Sequence, residues 1–321
     1  MTPLLSINIP TYNRSSYLKS LLESLADDKT ALGDKVEINI LDNASPDDTE
    51  AVARSFASKP GIHYQRHERN LGALQNIHLA HRSGTGKYVW IVGDDDYLQP
   101  GQLRRIVEML ARGPALVLLS YSRVTSDKRV VGKVSIGAAD ATFTKDSPQF
   151  SLAEVDSLIG FLSANIIERH WVDRFDSQAY DELDTRGELA HASMLYAAIA
   201  AGAVVQYIAG LPLAQTVDNG HLRHDVWVHV CVKYCMNLPE QLATFGFDAS
   251  STRRFFRRRL GRECVRRLLA EKYRGNVSHV VKDDPVVRAG LGWRRATLIA
   301  LDLVPGVAVR TVYNALRTPR Q

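Results

Sequence analysis

Three adjacent carboxylates, Asp94-Asp95-Asp96, follow the apolar run Tyr88 to Val92. Charges packed this closely repel one another unless a cation neutralises them. Hard oxygen donors of this kind suit Mg²⁺ or Mn²⁺, ions commonly shared with phosphate oxygens. If the turn is extended, Asp94 and Asp96 point one way and Asp95 the other, so that one reaches a metal and another a ribose. The bland alternative is a solvated acidic turn, or an acidic cluster before the helix that starts near Pro100.

An acidic turn makes a site only if other segments converge on it. Leu4 to Ile9, Val36 to Leu41, Ile62 to Arg66, Tyr88 to Val92 and Leu116 to Tyr121 read as strands. Segments with apolar residues at helical spacing separate them, including Tyr17, Leu18, Leu21, Leu22 and Leu25. In Ser45-Pro46-Asp47-Asp48, serine suits a helix cap and proline the first helical position. Alternating strands and helices predict an α/β fold with a mostly parallel sheet covered on both faces. In such sheets ligands bind beyond the carboxyl ends of the strands. Those ends are polar throughout: Pro10-Thr11-Tyr12-Asn13-Arg14, Asp42-Asn43, Arg69-Asn70-Leu71-Gly72 and Gly93-Asp94-Asp95-Asp96. Converging on one edge, they make a site for a large, polar, anionic ligand.

Farther along, Phe161 to Ile167 and Val204 to Ile208 read as strands and Glu188 to Ala201 as a helix. From Asp225 onward the pattern is helical, interrupted near Pro239, Gly246, Gly275, Pro285 and Pro305. The expected division is a domain over 1–222 and a basic helical region over 223–321.

The chain has 321 residues, 45% hydrophobic and 23% charged, which excludes a disordered or collagenous protein. Its three cysteines, Cys231, Cys235 and Cys264, match no metal-binding spacing and read as small buried residues. No signal-peptide pattern precedes the first strand, so the expectation is a cytoplasmic protein. The net charge of +5 is unevenly placed: ten Lys or Arg and two acids lie between Arg253 and Arg274.

The four strand-end motifs, with Asn76 and Trp90-Ile91-Val92-Gly93 before the aspartates, resemble the inverting family 2 glycosyltransferases of the GT-A fold. The Trp-x-x-Gly-Asp-Asp-Asp form is similar to the abequosyltransferase-like branch, which builds bacterial surface polysaccharide. The resemblance is strong over 4–120, fades by about residue 220 and is absent beyond. It implies a sugar, in that branch a deoxyhexose, moved from a nucleotide diphosphate donor to a saccharide or lipid-linked saccharide. Pro10 and Thr11 would then offer backbone groups, Tyr12 a face for the base and Arg14 a phosphate or base contact. Asp42, with Asn43 beside it, would accept from base or ribose, and Asn70 and Gly72 would let the backbone approach the nucleotide. Each has a plainer alternative: Tyr12 a packing aromatic, Arg14 a solvated helix-start residue, Asp42 and Gly72 turn residues, Asn76 an exposed amide.

The implied mechanism has Asp94 and Asp95 at the nucleotide sugar and Asp94 and Asp96 at Mn²⁺ or Mg²⁺, the metal stabilising the departing diphosphate. A general base must take the acceptor's proton on the opposite face of the sugar. Such enzymes often place that base at a helix start in the second half of the domain. Glu188 fits that place, with His191 in reserve; the usual Glu-Asp pair is lacking, since Leu189 stands where an Asp might. Asp181, Glu182 and Asp184 lie nearby. Some relatives add a loop histidine to the metal, for which His221 is the candidate.

Arginines recur through 253–274 with Phe255, Phe256, Leu260 and Leu268 between them, and 291–316 adds further apolar residues with arginines. Two expectations stand: a cationic amphipathic surface on anionic membrane, making the protein peripheral on the inner face, or an appendage packed on the catalytic domain or on a second subunit of a homo-oligomer. Nucleic acid is not expected, because no recognised binding motif accompanies the arginines. Two rival functions remain: a non-catalytic nucleotide- or glycan-binding module of the same fold, and a nucleotidyltransferase. The second usually needs a Gly-rich loop after the first strand, which is lacking here.

Overall fold

The computed structural model describes residues 2–148, 150–175, 190–217 and 232–273. Contacts divide the chain into two units, Met1–Glu182 with Ala190–Asn219, and Leu183–Leu189 with Gly220–Gln321.

The first unit alternates as its sequence predicts: β1 (Leu5–Thr11), α1 (Ser15–Leu32), β2 (Val36–Asp42), α2 (Thr49–Ala57), β3 (Ile62–Arg66), α3 (Ala73–Arg82) and β4 (Tyr88–Ile91). These strands pair in parallel in the order β3-β2-β1-β4. Leu5, Ile7 and Ile9 of β1 are fully buried, and so are Ser6 and Asn8 between them. Such two-sided burial marks a central strand and explains its unbroken apolar reading. Leu18, Leu21, Leu22 and Leu25 bury the inner face of α1.

Beyond β4 the sheet becomes mixed. The later elements are β5 (Tyr97–Leu98), α4 (Gln102–Leu110), β6 (Leu116–Val124), β7 (Val130–Val134), β8 (Ala141–Phe143), α5 (Leu152–Ile159), β9 (Asn165–Glu168), α6 (Arg169–Arg174), α7 (Ala190–Ala200) and β10 (Val205–Thr216). β9 lies antiparallel between β4 and β6, joining the halves into a ten-stranded sheet. β10 runs parallel to β6 and antiparallel to β5 and β8. The sheet is thus parallel on the side carrying the first three polar strand ends and mixed on the other. Phe161 to Ile167 is not one strand, because a single 3₁₀ turn, Leu162–Ala164, precedes β9.

In the second unit, α8 (Tyr234–Thr244) packs on α9 (Ala249–Tyr273). Cys235 and Cys264 are buried, as expected of small packing residues. The segments 274–321, with the proposed 291–316 surface, and Cys231 lie outside the described residues.

Candidate active site

The loops after β1 and β2 hold each other. Asn43 N–H continues from the end of the β1–β2 ladder by donating to Thr11 O at 2.9 Å. Ser45 Oγ accepts from Asn13 N–H at 2.9 Å, Thr49 Oγ1 from Arg14 N–H at 3.3 Å and Asp47 from Ser15 N–H at 3.0 Å. The free N–H groups at the start of α1 are therefore capped from the neighbouring loop. Ser45 does not cap α2, which begins only at Thr49. Asn13 and Ala44 both adopt positive φ, 55° and 62°. That conformation is tolerable for asparagine and costly for alanine.

Gly93 and Asp96 close a β-turn, with Asp96 N–H donating to Gly93 O at 3.1 Å. Asp94 and Asp95 form its corner, so the alternation expected of an extended segment fails. Asp94 and Asp95 instead share one cation. Arg14 Nη1 lies 2.8 Å from Asp94 Oδ1 and 3.1 Å from Asp95 Oδ2. Thr11 Oγ1 donates to the other Asp94 oxygen at 2.7 Å. Asp96 turns away to Ser163, whose hydroxyl donates at 2.6 Å, and to the Thr216 backbone. Ser163 Oγ also accepts from Gly93 N–H at 2.8 Å, and its carbonyl accepts from Trp90 Nε1 at 2.8 Å. A Cβ on Gly93 would meet Asp95 Oδ1 and Asp96 Oδ2 at 3.0 Å each, so any larger residue would press on both carboxylates.

Asp94 and Asp96 are each 4% exposed. Burial pushes the Asp94 carboxyl up to about 6 although Arg14 pulls it down, and burial together with Asp95 holds Asp96 well above the usual carboxylate range. The solvated-turn alternative is thereby excluded. Asp94 and Asp96 are crowded, buried acids whose charged form requires cationic help. Their chemistry fits a hard divalent cation, and Asp94 with Asp95 already converges on a positive group. Among the described residues no three His, Cys, Asp or Glu side chains are grouped to hold a metal ion, because Asp96 is drawn toward Ser163.

Asp42 is fully enclosed. It accepts from Ser45 N–H at 2.9 Å, Tyr64 Oη at 2.7 Å and Arg66 Nη1 at 2.9 Å. The turn pairing weighed from sequence is present, and the carboxylate positions Tyr64 and Arg66 rather than standing open to a base or ribose. The phenol pays for this contact in acidity: burial, then Asp42, push Tyr64 up to about 12. Sequence reasoning missed both partners, because they lie inside β3 rather than after it.

Asn43 organises the loop before α3. Its amide donates to Asn70 Oδ1 at 2.9 Å and to Gly72 O at 3.2 Å, and its Oδ1 accepts from Leu71 N–H at 2.8 Å. Asn70 Oδ1 also takes Gly72 N–H at 2.8 Å. Gly72, at φ 88° and ψ 159°, occupies backbone space that side chains avoid, so the glycine is needed for the turn itself. Asn76 requires a correction. It is 3% exposed, donating to Leu41 O at 3.1 Å and bonded to His67 Nε2 at 2.9 Å. It is a strut under the loop, neither a nucleotide contact nor an exposed amide. Tyr12, by contrast, is 42% exposed at this edge and presents an open ring.

His191 also requires a correction. It is 8% exposed at the start of α7, in a cavity of about 10 Å³ lined by His81, Val89, Ile91, Leu162, Asn165 and Met194 among others. Burial lowers its pKa to about 4 and that of His81 to about 3. An enclosed, weakly basic ring cannot meet an acceptor hydroxyl within hydrogen-bond reach. Glu188, Asp181, Glu182, Asp184 and His221 lie outside the described residues.

The family comparison decides the reading of this edge: residues 6–159 match the model for glycosyl transferase family 2. Over that stretch, just under half of the chain, the sequence is similar to family 2 glycosyltransferase domains. Over 103 residues, 31% of the chain and 30% of the relative, it is 42% identical to the abequosyltransferase RfbV of Salmonella typhimurium. Over 62 residues, 19% of the chain and 14% of the relative, it is 45% identical to validoxylamine A glucosyltransferase of Streptomyces hygroscopicus subsp. jinggangensis. The chain spans about a third of the length of the first curated relatives it matches. The fold is also that of solved GT-A structures. S. aureus TarS 1-349 in complex with UDP superposes with a TM-score of 0.57 at 18% identity, covering 99% of this chain and 91% of that one. The mannosyltransferase PcManGT from Pyrobaculum calidifontis, in complex with GDP-Man and Mn²⁺, gives 0.51 at 15%, covering 98% and 88%.

Proposed function

We propose that this protein is an inverting glycosyltransferase that moves a sugar from a nucleoside diphosphate donor to a saccharide or lipid-linked saccharide in bacterial surface polysaccharide synthesis. The observation that carries the reading is the shared edge: buried Asp94 and half-buried Asp95 share Arg14, and Asp94 also takes Thr11, directly beside the interlocked loops after β1 and β2. The named relatives support the polysaccharide setting, and the solved neighbours carry UDP, UDP-GlcNAc or GDP-Man.

In this reading Tyr12 stacks on the base. Asn43 fixes Asn70 and Gly72 so that the backbone meets the nucleotide, while Asp42 keeps Arg66 and Tyr64 in place behind it. A divalent ion, Mn²⁺ or Mg²⁺, held by Asp94 and Asp95 with Asp96 beside them and His221 as an added ligand, would stabilise charge on the departing diphosphate. Arg14 lies where it can hand its charge to phosphate once the aspartates have another partner. Glu188 is the proposed general base, taking the acceptor hydroxyl's proton as that oxygen bonds the anomeric carbon and the diphosphate leaves with the bonding pair. An acceptor on a lipid carrier implies a peripheral place on the inner face of the cytoplasmic membrane.

Thermal-shift titration with UDP, GDP, CDP and dTDP, each with and without Mn²⁺, tests the donor site, since specific binding raises stability by mass action. One nucleotide raising the melting temperature in a manner lost in Asp94→Asn is the expected result. No response to any of them would remove the proposal. Asp96→Ala and Glu188→Gln are expected to retain donor binding in part and to lose transfer.

A further inference from the structure

The basic helix α9 settles a question left open by its composition. Its apolar side is already used: Thr252, Phe256, Leu260 and Cys264 are buried. The Phe256 ring meets Tyr234 of α8 edge-on at 5.8 Å, and the Arg259 guanidinium lies over the same Tyr234 ring at 5.2 Å. Arg253 reaches back to Glu240 at 2.7 Å. This side cannot sink into a bilayer as an interfacial amphipathic helix does, because α8 covers it. The other side is exposed and carries Arg254, Arg257, Arg258 and Arg262 within less than three turns.

We infer that this outer face of α9 docks the protein on anionic phospholipid by charge alone, without insertion. The inference deepens the peripheral location proposed above by naming the surface and its mode of binding. Among the described residues of this face no exposed aromatic stands between the arginines, so it lacks the stacking platforms used for single-stranded nucleic acid. A bilayer surface asks only for charge density. Each basic side chain near such a surface contributes about fivefold in partitioning at moderate salt. The attraction fades as the Debye length shortens from about 10 Å at 0.1 M salt to about 3 Å at 1 M. Among the described residues no helix is long and apolar enough to cross a membrane, in keeping with a surface mode.

The test is co-sedimentation of the full chain with phosphatidylcholine vesicles, with and without phosphatidylglycerol, at low and high salt. The variant carries Arg254→Gln, Arg258→Gln and Arg262→Gln, all exposed and remote from the candidate active site in sequence. Binding only to the phosphatidylglycerol vesicles is expected, lost at high salt and weakened about 100-fold in the variant. Equal binding by variant and parent would overturn the inference, as would salt-resistant binding or retention on heparin without vesicle binding. Circular dichroism and the nucleotide thermal shift, unchanged in the variant, show that fold and donor site are intact. Failure of vesicle binding alone therefore leaves the glycosyltransferase reading standing.

Discussion

Replacing Arg14 with methionine keeps the side chain's length and removes the cation shared by Asp94 and Asp95. The guanidinium sits 2.8 and 3.1 Å from the two carboxylates, with its own side chain 24% exposed and those of Asp94 and Asp95 5% and 17% exposed. Charge-assisted contacts of this kind are worth about 1.5–3 kcal/mol each when buried. Partial solvent screening reduces the pair together to about 2–3 kcal/mol. The loss depends on pH in a defined direction. Asp94 titrates near 6 in the folded parent, above its usual value of 3.8, with Arg14 pulling it down. Without Arg14 the folded pKa rises further. A group with a raised folded pKa stabilises the fold at low pH and loses that contribution as pH climbs through the folded value. The variant should therefore match the parent near pH 4 and fall behind it progressively above pH 6. By pH 8 the deficit should be about 2–3 kcal/mol, or roughly 5–10 °C in melting temperature. Urea denaturation of parent and variant across that range measures it directly. A deficit independent of pH would refute the reasoning, because it would mean that Arg14 stabilises through packing rather than through the aspartates. Added Mn²⁺ should restore more stability to the variant than to the parent, since a divalent ion supplies the missing charge.

Ser163→Ala removes the donor to buried Asp96 and the acceptor for Gly93 N–H. About 2–3 kcal/mol of stability should be lost, with kcat falling more than donor affinity; full activity would detach Ser163 from the site. Gly72→Ala should cost about 1–2 kcal/mol from backbone strain alone, since a Cβ there meets nothing within 4 Å, and unfolding curves read it directly. His81 and His191 are held neutral by burial, with pKa values near 3 and 4. Their contribution is complete above pH 6.5 and drains at about 1.4 kcal/mol per pH unit per group as pH falls toward those values. A His81→Gln/His191→Gln variant should accordingly show a shallower acid loss between pH 6.5 and 4.5. An unchanged slope would place the acid sensitivity elsewhere.

Much of the site was legible because a parallel sheet puts its polar residues directly after apolar runs. That rule picked out Tyr12, Arg14, Asn43, Asn70, Gly72 and the aspartates. It erred where polar residues serve the scaffold: Asn76 lies one helical turn beyond its loop and reaches back to Leu41 O. It was blind to Tyr64 and Arg66, whose strand alternation aims them at the end of β2 from the side. Ser163 was hidden in a stretch that reads as one strand, and only the 3₁₀ turn before β9 brings its hydroxyl to Asp96. The direction of β9 was equally illegible, since a short buried apolar run has the same pattern either way.

That strand governs how the sheet can be assembled. β4 and β6 are near neighbours in sequence, yet neither bonds the other; both wait for Asn165–Glu168. A polypeptide ended at residue 159, where the family match stops, would carry β3-β2-β1-β4 and the β6-β7 pair as two sheets with raw, unsatisfied borders. Borders of that kind invite intermolecular pairing. The segment most recognisable by descent is therefore not one that should fold alone, and an expression boundary drawn from homology would discard the strand that closes the seam.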